Sequence, residues 1–120
     1  MFEGPSLVAS DFDGTFADAA GQIPDALRDA VDSAGRTGID VLIVTARPPR
    51  WLSHLTDVPG GTILCANGAF EYVPRTGEVR VLRAFTPEHT RTVVEAVVAI
   101  PGVSMSAETT QGFWLSLIHI

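Results

Sequence analysis

Lysine is missing from this chain altogether: all eight of its basic residues are arginine. Fourteen acidic residues bring the formal net charge to -6, so there is no basic face of the kind that nucleic acid or an anionic membrane surface requires. An anionic ligand must instead be gathered by local groups. Cysteine is nearly as scarce. The single Cys65 has no partner for an intramolecular disulfide, which fits a reducing, cytoplasmic compartment. Its neighbours Ile63, Leu64 and Ala66 are apolar and read as the surroundings of a buried structural thiol rather than a nucleophile. No apolar run approaches the roughly 20 residues of a membrane span, and Met1-Phe2-Glu3-Gly4-Pro5 lacks the basic start and apolar stretch of a secretory signal. His54, His89 and His119 share no metal-like spacing with one another or with the acids. At 120 residues the chain is one domain at most, with room for a core but not for a core and a complete second domain.

What is present is organised around Leu7-Val8-Ala9-Ser10-Asp11-Phe12-Asp13-Gly14-Thr15, an apolar run that breaks into two aspartates, a glycine and a threonine. The run reads as a core strand of a parallel sheet, with Gly14 permitting a sharp turn after it. In open α/β sheets ligands sit beyond the carboxyl ends of the strands. Side chains alternate along an extended strand, so Asp11 and Asp13 point one way and Phe12 the other. Two carboxylates side by side repel unless a cation or a shared proton intervenes. Mg²⁺ suits the pair, since it takes oxygen ligands and is commonly held by one or two carboxylates together with a substrate phosphate. Taken alone the same string is also an ordinary strand exit, because Asp and Gly are common turn formers.

Further along, Ile23, Leu27, Ala30, Val31 and Ala34 recur on one helical face while Asp25, Arg28, Asp29 and Asp32 take the other, the acids forming a solvated face. Pro24 suits the first turn, and Gly35 or Gly38 the end. A second strand, Val41 to Val44, runs parallel to the first and ends in Thr45-Ala46-Arg47-Pro48, with Pro48 biasing Arg47 out of helical geometry. A short helix through Trp51, Leu52 and Leu55 follows, with Trp51 as a packing residue. The third strand, Thr62 to Ala66, ends in Asn67-Gly68. Three strands thus end in polar groups, and that repetition points to a site. Phe70 to Val73 and Glu78 to Ala84 flank Pro74-Arg75-Thr76-Gly77 as a hairpin. Thr86 and Pro87 start a helix whose buried stripe is Val93, Val94, Val97 and Ile100. Two more strands, Val103 to Ala107 and Phe113 to Ile118, close the chain.

These motifs carry a resemblance. Asp11-Phe12-Asp13-Gly14-Thr15, with Thr45 and Ala46-Arg47-Pro48, resembles the haloacid dehalogenase superfamily of phosphatases, and Cys65-Ala66-Asn67-Gly68-Ala69 narrows it to the Cof-type, or type IIB, branch. The resemblance implies an α/β fold. Residues 1–69 would be the N-terminal half of the core, a partial Rossmann-like parallel sheet of three strands with helices. Residues 70–120 would be the first half of an α+β cap. It implies a Mg²⁺-dependent phosphomonoester hydrolase acting on a small phosphorylated metabolite such as a sugar phosphate. Asp11 would attack phosphorus to form an aspartyl-phosphate and would bind the metal through its other oxygen. Asp13 would protonate the leaving alcohol and then activate water, its carbonyl also facing the metal. Backbone groups of Phe12, Gly14 and Thr15, with the Thr45 hydroxyl, would hold the phosphoryl oxygens, and Arg47 and Asn67 would contact phosphate or substrate.

The family completes this site with a lysine and a later acidic motif. The chain has no lysine, and its last aspartate is Asp57. It also stops within the apolar run Phe113 to Ile120. The expectation is therefore an N-terminal fragment with little or no turnover alone, one side of its first strand unpaired. Two other readings stay open: a non-enzymatic Mg²⁺ or phosphate-binding or receiver-like module phosphorylated on Asp11, and a phosphotransferase or mutase on the same scaffold. The exact substrate and the oligomeric state are not written in the sequence.

Overall fold

The computed structural model describes residues 4–116, and the chain divides into two compact units, Met1–Leu82 and Arg83–Ile120. In the first unit, among the described residues, five strands form one sheet in the order β1 (Leu7–Asp11), β2 (Asp40–Val44), β3 (Ile63–Cys65), β4 (Phe70–Val73) and β5 (Glu78–Val81). The first three are mutually parallel and the last two antiparallel to their neighbours. Among the described residues β1 lies at the sheet edge and pairs only with β2.

Between β1 and β2 runs α1 (Asp25–Arg36), whose apolar stripe supplies Val31 to the core and Leu27 to its margin, while Ala30 is exposed. Its end is set by backbone chemistry: Gly38 adopts φ +81, a region that only glycine enters freely, and donates to the Gly35 carbonyl at 3.0 Å. Side chains on one face of the sheet form rows across the register. Ile43 pairs with Ile63 and Ile63 with Tyr72, and Cys65 pairs with Phe70, all five being buried. Burying an Ile or Phe side chain stabilises by about 1.5–3 kcal/mol each, so these rows and α1 hold the strand ends in place.

The hairpin β4–β5 belongs to this sheet, because β4 pairs with all of β3, from Cys65↔Phe70 to Ile63↔Tyr72. The first unit therefore runs through Leu82, past the boundary after residue 69 that the sequence led us to expect. The third strand is also shorter than expected. Ala66 and Asn67 turn to φ 49 and φ 55, ending the strand at Cys65 in a 3-10 turn over Ala66–Gly68.

The expected helix through Trp51 to Leu55 is a single 3-10 turn, Pro49–Trp51. Leu52 is fully buried, whereas Trp51 is 55% exposed with the Arg50 guanidinium 5.0 Å from its ring centre, so Trp51 is not a packing residue. A single turn presents only one side chain inward, and Leu52 takes that place.

In the second unit, α2 (Pro87–Val98) begins as expected. The Thr86 hydroxyl oxygen accepts the His89 N–H at 3.2 Å, and Pro87 occupies the first turn. It is followed by an antiparallel pair, β6 (Met105–Thr109) and β7 (Gly112–Ser116). The stripe expected on α2 is not buried. Val93 and Ile100 are exposed, and Val94 and Val97 only half-buried. Two strands offer too little apolar surface to cover such a helix. The expected continuation of the last strand to Ile118 lies outside the described residues. No helix among the described residues is long and apolar enough to cross a membrane.

Candidate active site

Asp11 closes β1 opposite Val44 of β2, so Thr45 leaves its strand one residue beyond the level of Asp11. After Asp11 the chain doubles back. The Phe16 N–H donates to the carbonyls of Asp11 (3.2 Å) and Phe12 (3.1 Å), and the Ala17 N–H donates to Phe12 at 2.8 Å. This curl requires Gly14 at φ +72, in the left-handed region that glycine enters without steric cost. Phe12, Phe16 and Ala17 are buried beneath it, while Asp11, Asp13, Gly14 and Thr15 face outward. The alternation expected of the Asp-Phe-Asp string is thus realised, with the apolar member pinning the loop from below.

Two features of the loop bear on ligands. Among the described residues, neither carboxylate oxygen of Asp11 receives a hydrogen bond and the Thr15 N–H has no acceptor, while the parallel bridge between Asp13 and Ala17 turns the Gly14 N–H toward the Ala17 carbonyl. An open backbone N–H beside a left-handed residue can contribute to a concavity suited to an anion.

Thr45 is buried, and its polar groups tie the neighbouring strands together. Its N–H donates to the Leu64 carbonyl at 2.8 Å and its carbonyl accepts the Asn67 N–H at 3.2 Å. Its hydroxyl oxygen accepts the Arg47 N–H at 3.1 Å, capping the turn after β2. No acceptor among the described residues takes the hydroxyl hydrogen, which remains able to donate.

Arg47 is held through its backbone and through two of its three guanidinium nitrogens. Its carbonyl accepts the Ala66 N–H at 2.8 Å, and its guanidinium carbon lies 5.2 Å from the centre of the buried Phe12 ring. Nε donates to Oδ2 of Asp13 at 2.9 Å and Nη2 donates to Oδ1, a two-pronged pairing that occupies both carboxylate oxygens. Sequence reasoning placed Arg47 on phosphate or substrate and did not find this pairing. The available signal was the lack of lysine, which leaves Arg47 as the cation nearest in sequence to the three strand ends. Asn67 is exposed, with a left-handed backbone at φ 55 and no side-chain hydrogen bond among the described residues. Ala66 beside it takes φ 49 without being glycine, and such backbone strain gathers at functional sites.

The structure thus brings Asp13, Arg47, Thr45 and the Asn67 backbone into one hydrogen-bonded chain, with Asp11 free beside it. For a divalent cation the donor set is partial. Among the described residues no three acidic, histidine or cysteine side chains cluster, yet Asp11 has both oxygens open, and Mg²⁺ needs only one or two protein carboxylates when phosphate and water complete its shell. A concavity of about 580 Å³ lies beside Leu7, Val31, Gly35 and Val41, and another of about 470 Å³ beside Ile23, Arg28, His54 and Asp57. Neither is lined by Asp11, Asp13, Thr45 or Arg47.

Cys65 plays no part in the chemistry. Burial pushes its thiol up to about 11, outweighing the opposing backbone hydrogen bond, and Sγ donates to the Phe70 carbonyl at 3.5 Å. It is a protonated, structural thiol at neutral pH.

Comparison with known proteins bears on this arrangement. The sequence profile of the haloacid dehalogenase-like hydrolases matches residues 8–117. None of the curated proteins matches the chain in sequence. Among solved structures, a phosphatase of the haloalkanoate enzyme superfamily from Bacteroides thetaiotaomicron superposes with a TM-score of 0.70 at 21% identity, over 92% of this chain and 41% of its own. A subclass IIB sugar phosphatase superposes with a TM-score of 0.60 at 24% identity, over 91% of this chain and 43% of its own. A hypothetical protein from Geobacillus kaustophilus gives 0.55 at 27% identity, over 80% and 37%. The chain therefore spans about two-fifths of the length of each of these three structures.

Proposed function

The chain belongs to the haloacid dehalogenase-like hydrolases, and from that premise we propose that it carries the nucleophile-bearing half of a Mg²⁺-dependent phosphomonoester hydrolase working through an aspartyl-phosphate on Asp11. The observation that carries this reading is the contrast between two neighbouring carboxylates: Asp11 is exposed with both oxygens unengaged, and Asp13 is held by Arg47. A free carboxylate suits nucleophilic attack, and a positioned one suits proton transfer.

In this reading the phosphoryl oxygens rest on the backbone N–H groups of the loop from Phe12 to Thr15, the open Thr15 N–H among them, and on the Thr45 hydroxyl. Asp11 attacks phosphorus in line with the departing alcohol. Asp13 gives that alcohol a proton, and afterwards takes one from the water that hydrolyses the acyl-phosphate. Asp11, with the Asp13 carbonyl, would hold Mg²⁺, which when bound supplies positive charge against the crowded carboxylates and phosphate. Asn67, in the turn after β3, would meet the phosphate or the substrate. A small phosphorylated metabolite is the substrate class, a sugar phosphate being favoured by the likeness to the subclass IIB sugar phosphatase. The second unit, Arg83–Ile120, would belong to an α+β cap.

Without lysine, these residues balance the negative charge of the site incompletely, and electrostatic stabilisation is usually the largest catalytic contribution. The 120-residue chain is accordingly expected to form the acyl-phosphate slowly and to turn over little. Incubation with acetyl phosphate and Mg²⁺, followed by borohydride trapping and mass spectrometry, checks this. Label should appear on Asp11, vanish in Asp11→Asn and accumulate in Asp13→Asn, which lacks the base for hydrolysis. Label on another residue, or robust Mg²⁺-dependent turnover that survives Asp11→Asn, would overturn the assignment.

A further inference from the structure

We propose that Arg47 is a positioning residue that phosphate displaces from Asp13: at rest its guanidinium grips both Asp13 oxygens, and an arriving phosphoryl dianion draws it away, releasing Asp13 when substrate is present. This rests on the phosphoryl-transfer reading above and adds to it an order of events.

Four observations carry the proposal. First, the pairing is two-pronged, Nε to Oδ2 at 2.9 Å and Nη2 to Oδ1, which leaves neither Asp13 oxygen free of Arg47. A carboxylate so held cannot approach a leaving group without breaking at least one of these contacts. Second, the guanidinium has little freedom to wander. Its Cζ lies 5.2 Å from the centre of the Phe12 ring, while its own backbone is fixed at both ends, by the Thr45 hydroxyl oxygen at 3.1 Å and the Ala66 N–H at 2.8 Å. What remains mobile is the swing of the planar head above Phe12, and that is the motion needed to exchange one oxyanion pair for another. Third, the acceptor cradle is adjacent in the chain. The open Thr15 N–H follows Asp13 two residues on, so an anion seated on it lies beside the residue that Arg47 already holds. Fourth, the pair is only partly shielded, the side chains retaining 28% and 52% of their exposure. Solvated ion pairs are weak, so a dianion with equivalent oxygen geometry competes on favourable terms.

The arrangement also couples the strand ends. Ala66 and Asn67 adopt left-handed backbones, and their N–H groups meet the carbonyls of Arg47 and Thr45. The turn after β3 therefore fixes where the Arg47 head pivots. No covalent change occurs in the exchange: one charge-assisted pair is traded for another.

The test uses the 120-residue chain and inorganic phosphate with Mg²⁺, read by the arginine Nε–H signals in nitrogen-15 spectra and by the carboxyl carbons of labelled aspartate. Loss in Arg47→Lys identifies the Arg47 signal, with the amide fingerprint verifying that the fold is kept. In the free chain this Nε–H should exchange slowly, and Asp13→Asn should abolish that protection. Phosphate should shift the Arg47 signal and the Asp13 carboxyl together along one saturating curve. Asp13→Asn should tighten phosphate binding several-fold, and this gain should shrink at least threefold in an Arg47→Gln background, isolating the competition from a simple loss of negative charge.

Phosphate that shifts the Gly14 and Thr15 amides while leaving the Arg47 and Asp13 signals unmoved overturns the exchange and spares the hydrolase reading. An unprotected Arg47 Nε–H in the free chain, or equal gains in both backgrounds, does the same. Absence of any phosphate-dependent shift overturns both.

Discussion

Cys65 shows how burial sets chemistry at a single position. Its side chain is fully buried between Ile63 and Phe70 in the sheet rows, and desolvation raises its thiol from 9.0 to about 11. The folded state then keeps a proton that the unfolded chain gives up above pH 9. Between roughly pH 9 and pH 11 the unfolded state binds fewer protons, so stability falls as pH rises through that window and is fully present below it. Urea titrations of the wild type should lose midpoint over this range more steeply than those of Cys65→Ala, and equal slopes would remove the burial argument. A thiol reagent should likewise label Cys65 at neutral pH only under unfolding conditions. The apolar neighbours of Cys65 were visible in the sequence, and so was its inert character. The grip of Arg47 on Asp13 was not visible, because the partners stand 34 positions apart and meet only once β1 and β2 pair in register. Local rules of turn and strand describe each end of such a contact and say nothing of the contact itself.

Elements were legible where a local rule was also the global answer. The strand of residues 7–11 and the cap of α2 at Thr86 depended on short-range pattern and came out as expected. The third strand did not, since left-handed backbone at Ala66 has no propensity signature for a residue other than glycine. Trp51 failed for a related reason: periodicity over a short stretch cannot separate a helix from one 3-10 turn, and the two bury different side chains. The loop Val58–Gly61, which returns the chain to β3, supports a sharper expectation. Gly60 and Gly61 both have positive φ, +84 and +75. A Cβ on Gly60 would lie 2.2 Å from the Val41 carbonyl oxygen in β2, whereas one on Gly61 would meet nothing within 4 Å. Gly61→Ala should therefore cost about 1 kcal/mol for its backbone alone. Gly60→Ala should cost about 2–4 kcal/mol, because strain is joined by overlap with a backbone atom that cannot move without shifting β2. Chemical denaturation of the two variants separates these contributions, and equal losses would mean that the close approach is not tight.

For the whole molecule, the governing fact is that β1, which delivers Asp11 and Asp13, is also the edge of its sheet. Leu7 is 52% exposed and Val8 42%, and nothing in Leu7-Val8-Ala9-Ser10 is charged or proline, the residues by which proteins usually blunt an edge. The strand thus presents a row of backbone donors and acceptors flanked by apolar side chains, a template for another strand. In the second unit Phe113, Trp114 and Leu115 are exposed on consecutive positions of β7, so both faces of that strand carry uncovered apolar surface. A net charge of -6 opposes association, but screened repulsion among dispersed charges weakens with salt while strand pairing and apolar burial do not. Self-association of the 120-residue chain should accordingly rise with both protein concentration and ionic strength. Val8→Lys, which puts a charge on the open edge, should lower the mass-averaged size in sedimentation by more than Trp114→Lys if edge pairing dominates. The reverse order would assign the association to β7, and a size independent of salt and of both substitutions would show that the edge is not a docking template.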